Sequence, residues 1–192
     1  MKMYFPGLAL ALALSLPAGA EEKAHEHGSS TLNVAVEDDE IQMELNAPGA
    51  DIVGFEHVPG SDEDRSAVQE AVSTLQQNLF RFPDAAGCEL EAVGIYSALL
   101  PDGEPVHSGE HDHDSDHGSE HHDAHDKDEH EEGHAEFRVV YHYECKDTAA
   151  VTGFDTSYFT AFPNAKELDV SAITAAGQAA AELTADNTSI EF

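Results

Sequence analysis

Nine of the chain's 13 histidines fall within residues 107–134, HSGEHDHDSDHGSEHHDAHDKDEHEEGH, together with 11 of its 39 acidic residues. Imidazole nitrogens and carboxylate oxygens without sulfur suit Zn²⁺, Ni²⁺, Co²⁺ or Cu²⁺. Spacing adds to composition. His111 and His113 stand one residue apart, so an extended backbone points both to one side. His113, His117, His121 and His125 recur every four residues, as do His130 and His134, which puts them on shared faces of a helix. His107 and His122 complete the set. A solvated acidic linker and a pH-responsive segment are the competing readings. A solvating linker has no reason to carry nine imidazoles, and composition places metal binding ahead of pH response, so the segment reads as a metal collector.

Four histidines lie elsewhere: His25, His27, His57 and His142. His25 and His27 form an i, i+2 pair in Ala24-His25-Glu26-His27-Gly28, and His57 ends the turn Gly54-Phe55-Glu56-His57. With His134 at the edge of the collector they would supply the three or four imidazoles that tetrahedral zinc prefers. Glu56 and Glu136 are further ligand or supporting groups. His142 sits within a strand pattern and carries the weakest claim.

These side chains must be positioned by the surrounding elements. Residues 31–36 and 41–47 alternate with period two, with Leu32, Val34, Val36 and Ile41, Met43, Leu45 on the apolar faces, and predict a β-hairpin. Ser61 followed by Asp64 predicts a capped helix with Val68, Val72, Leu75 and Leu79 as its stripe. Residues 89–96 and 136–144 read as an antiparallel strand pair with everything from about 100 to 134 at its tip. Residues 154–162 predict a short helix or turn, and 168–174 with 178–184 a closing hairpin, a helix through the alanines 179–181 ranking second. Ala124 is the one aliphatic side chain in 107–134, so the insertion, taken as 104–134, is expected to be disordered without metal. The expected fold is α+β: a mainly antiparallel β-sheet, one substantial helix and a long disordered His/Asp/Glu-rich hairpin loop.

Lys2, the apolar run Leu8–Leu16 and Ala18-Gly19-Ala20 predict a signal peptide over residues 1–20, leaving 21–192 as a single domain. No twin arginine precedes the apolar run, so the general secretory route is expected. In an oxidising compartment Cys88 and Cys145 are expected to form a disulfide at the base of the strand pair.

A formal charge of −31, from 39 acidic and 8 basic residues, leaves no basic footprint for nucleic acid or an anionic membrane surface. Such a field attracts cations. No HExxH, GxSxG or P-loop pattern occurs, and His111-Asp112-His113-Asp114-Ser115-Asp116-His117 only approaches the metallo-β-lactamase HxHxDH spacing. No enzyme is expected.

The order AHEHG, GFEH before a helix, a His/Asp/Glu-rich insertion, then His134-Ala135-Glu136-Phe137 through Tyr143-Glu144-Cys145 resembles the Zrg-type periplasmic zinc-binding proteins. Phe162-Pro163-Asn164-Ala165, Leu168-Asp169-Val170 and Gly177-Gln178 extend the likeness over nearly all of residues 24–192. The resemblance implies a periplasmic protein of Gram-negative bacteria that binds Zn²⁺ beside an ABC-type zinc uptake system, with His25, His27, His57 and His134 as its ordered site. A passive periplasmic buffer for Zn²⁺, Ni²⁺ or Cu²⁺ without a transport partner is the alternative.

Overall fold

The computed structural model describes residues 27–109 and 135–192; His25, the expected signal peptide and the histidines from His111 to His134 lie outside them. Ten strands are found among these residues: β1 (Ser29–Glu37), β2 (Glu40–Pro48), β3 (Phe80–Arg81), β4 (Glu89–Tyr96), β5 (Val106–Ser108), β6 (Glu136–Glu144), β7 (Gly153–Thr156), β8 (Glu167–Thr174), β9 (Gly177–Leu183) and β10 (Ser189–Glu191). Among the described residues three α-helices accompany them: α1 (Gly49–Ile52), α2 (Asp62–Leu75) and α3 (Tyr158–Ala161).

Alternation sets the register. Leu32, Val34 and Val36 stand opposite Leu45, Met43 and Ile41 across the β1–β2 hairpin, and all six are buried. A one-residue slip would turn both apolar rows to solvent. The same face continues into β6, where Val139, Tyr141 and Tyr143 oppose Leu45, Met43 and Ile41. The seven-stranded sheet runs β5-β4-β6-β2-β1-β8-β9. Every neighbouring pair is antiparallel except β1 with β8.

The apolar face packs against α2, through Val68, Ala71 and Leu75, and against the small sheet β10-β7-β3. Phe80 joins the layers, edge-on to Tyr141 at 5.3 Å and to Phe154 at 5.6 Å. Such T-shaped contacts place a ring's positive edge on its neighbour's negative face. On α2 the expected cap is present: Ser61 accepts from the Asp64 N–H while the Asp64 carboxylate accepts from the Ser61 N–H. Leu79 is buried as expected, yet it lies beyond the helix end at Leu75. Gln42, Arg138 and Asp169 are exposed on the other face of the large sheet, where Val140 and Gly94 are buried.

Cys88 and Cys145 form the disulfide, with Cα atoms 3.9 Å apart, next to the paired ends Glu89 and Glu144. The tip of this strand pair differs from expectation. Residues 106–108 fold back as β5, placing Ser108, His107 and Val106 opposite Val93, Gly94 and Ile95. Val106 is β-branched and packs against the core, which favours an edge strand over solvent-exposed coil. His107 therefore belongs to the sheet, although composition assigned it to a disordered insertion beginning at 104. Residues 154–162 likewise divide into β7 and α3. The hairpin β8–β9 forms as expected, with the alanines 179–181 in a strand.

Candidate metal centre

One end of the large sheet gathers three stretches that sequence alone keeps apart. β1, β6 and β8 begin there and β2 ends there, as the pairs Pro48–Glu136 and Ser29–Glu167 show. Gly28, directly after His27, is held from two sides. Its N–H donates to Asp51 Oδ1 at 2.8 Å, and its carbonyl accepts from the N–H groups of Lys166 at 2.9 Å and Glu167 at 2.8 Å. The turn needs glycine because its φ is +93°.

His27 Nε2 lies 3.1 Å from Glu56 Oε1; the imidazole is well exposed and the carboxylate largely covered. Glu56 reaches this position because the segment after β2 turns tightly on Gly49. A Cβ there would lie 2.6 Å from the Phe55 carbonyl oxygen and 2.8 Å from that of Ala135, so only glycine admits the approach. The Gly49 N–H donates to Ala135 O at 2.7 Å, which ties the residue after His134 to the same turn. His57 points toward α2: its Nε2 stands 3.7 Å from Asp64 Oδ2, and its ring lies 4.7 Å from that of Phe55.

Beneath this surface Asp51 is 2 % exposed. Its second oxygen accepts from Ser30 Oγ at 3.3 Å, and Ser30 Oγ is 2.9 Å from the buried Tyr158 hydroxyl. Burial raises the Asp51 pKa above its ordinary value, against the lowering effects of the Gly28 and Ser30 hydrogen bonds and the nearby His27. Hydrogen bonds from Ser61 hold the Asp64 pKa low. Carboxylate beside imidazole is a donor set that fits zinc.

Residues 24–192 match the family model described as ZrgA family zinc uptake protein. The chain belongs to this family. No curated protein matches it.

Membership gives this ZrgA-family chain a zinc-related role in a family of zinc uptake proteins. No helix among its described residues is long and apolar enough to cross a membrane. Of the four histidines expected to form the ordered site, His27 is joined to the 54–57 turn through Glu56, while His57 faces Asp64. His25 and His134 fall outside the described residues, as do His111, His113, His117, His121, His122, His125 and His130. Among the described residues one trio of acidic or imidazole ligand atoms lies within 4.8 Å, that of Glu167, Asp169 and Glu182; His27, Glu56 and His57 do not form one.

Sequence reasoning missed Asp51. Its signal was an acid flanked by apolar residues in Gly49-Ala50-Asp51-Ile52-Val53, where a charge is costly unless something nearby donates to it.

Proposed function

We propose that this ZrgA-family protein is exported without residues 1–20 to the periplasm, captures Zn²⁺ there and supports an ABC-type uptake system. His25, His27, His57 and His134 supply the imidazoles of the ordered site, with Glu56 as the adjoining carboxylate. The histidines of the insertion raise the local zinc concentration and pass ions on.

One observation carries this reading. Described residues next to these histidines meet at one end of the sheet through three contacts that support the reading: Gly28 with Asp51, His27 with Glu56, and Gly49 with Ala135. Three or four imidazoles from such stretches satisfy tetrahedral zinc, and their need to be neutral couples capture to proton release.

Isothermal titration of residues 21–192 with Zn²⁺ tests it. The wild-type chain is expected to show one tight event followed by weaker ones, and the double variant His27→Ala, His57→Ala to lose the tight event alone. Survival of that event overturns the ordered site. A wild-type titration of many equal sites instead favours passive buffering. Growth of a deletion strain under zinc chelation, with and without the gene restored, tests the link to uptake.

A further inference from the structure

We infer that the open face of the seven-stranded sheet carries a second divalent transition-metal site, with His107 and His142 as its nitrogen ligands. This face forms a concave cavity of about 940 Å³ whose lining includes His107, His142, Glu91, Glu144, Ala92 and Gly94. Register puts the two imidazoles on the same side. His107 of β5 is opposite Gly94, and His142 of β6 is opposite Ala92, two residues along the intervening strand β4. Two inter-strand spacings and two residues of rise separate their Cα atoms by about 12 Å. Two imidazole side chains and two metal–nitrogen bonds of about 2 Å each span such a gap.

Ala92 and Gly94 are the small β4 residues under the span. A Cβ on Gly94 would meet His107 Nδ1 at 3.3 Å and the Tyr96 ring as closely, so the imidazole leans toward β4 and stands edge-on to Tyr96 at 5.6 Å. A bulge between Leu90 and Ala92 brings Glu91 into the cavity lining; bulges commonly re-aim a side chain beside a site. Glu91 and Glu144 line the same cavity and supply oxygen ligands; no three of the four groups have ligand atoms within 4.8 Å of one another, so binding must draw them in, as a set suited to zinc. The field is favourable too. Glu40, Glu44, Glu91 and Glu144 line the cavity against one cation, Arg138, which is 3.7 Å from Glu44 and stacks on Tyr96 at 4.8 Å. The site is separate from the first centre, because His142 pairs with Gln42, six residues and about 20 Å along β2 from Pro48.

Histidine acylation by diethyl pyrocarbonate, located by peptide mass spectrometry on residues 21–192, tests the site with Zn²⁺ as the only added ligand. In the wild type, zinc is expected to reduce labelling of both His107 and His142 several-fold. In His107→Ala the protection of His142 is lost, and in His142→Gln that of His107, with circular dichroism confirming that each variant is folded. His27→Ala, His57→Ala retains protection at both positions, which separates this site from the first. Equal labelling of His142 with and without zinc overturns the inference, as does protection of His142 that persists in His107→Ala.

Discussion

Replacing Asp51 by alanine removes the acceptor that holds the backbone after His27. The Gly28 N–H at 2.8 Å is left without its carboxylate, and Ser30 keeps only the Tyr158 hydroxyl. Stranding a buried donor and losing a second bond together cost about 2–4 kcal/mol. For a domain of this size that lowers the melting temperature by about 4–16 °C. Loss of a group that supports a ligand also weakens metal binding, here by about tenfold at the tight event. Asp51→Asn keeps an oxygen for Gly28 and removes the buried charge, so it should fold at least as stably as wild type at neutral pH. Burial lifts the Asp51 carboxyl above its ordinary 3.8, so the folded state keeps a proton the unfolded chain has released. That contribution is complete below the unfolded value and lost as pH rises through the folded one. Wild type should therefore lose stability relative to Asp51→Asn as pH rises from about 4 toward neutrality. Metal-free melts followed by circular dichroism across this range, with zinc titrations at pH 7, provide the assay. If Asp51→Ala melts within about 1 °C of wild type and binds zinc equally well, the buried carboxylate does not hold this turn.

Reduction of Cys88–Cys145, which closes a separation of 57 residues, should cost about 4 kcal/mol in the chain-entropy account and lower the melting temperature on adding dithiothreitol; an unchanged melt refutes it. Gly109 lies against Glu91 and Ala92, whereas Ala135 adjoins Gly49, placing them about 25 Å apart across the sheet. Replacing residues 110–133 by a linker of at least about ten residues should preserve the circular dichroism spectrum and sharply reduce zinc stoichiometry, whereas joining Gly109 directly to His134 should disrupt the sheet. Unchanged stoichiometry in the linker variant would remove the collector role. Zinc affinity should fall steeply below about pH 6, where imidazoles take up protons; a flat titration series from pH 5 to 7 would point to carboxylate ligands alone.

Strong local patterns in the sequence predicted the structure well. The β1–β2 hairpin, the β4–β6 pair and the Ser61–Asp64 cap each follow from residues close in sequence or from clear alternation. The disulfide followed from placing Cys88 and Cys145 at matching ends of two strands. The small sheet escaped notice because β3, β7 and β10 have two, four and three residues, too few to establish a period. The span of β5 was hidden by composition: His107 counted with its acidic neighbours, while Val106 alone marked the strand. At the candidate metal centre the histidine stretches stood out by residue type and spacing. Asp51 did not, because its burial depends on Tyr158 and Ser30, which meet it only after the whole domain has assembled.

The parallel pairing of β1 with β8 has a consequence for biosynthesis. His27 is made early, yet the carbonyl of its neighbour Gly28 accepts from Lys166 and Glu167, which are made late. A nascent or truncated chain ending before these residues presents His27 ahead of a strand that lacks its β8 neighbour. On the proposed function, firm retention of zinc at that end is thereby reserved for chains that include β8.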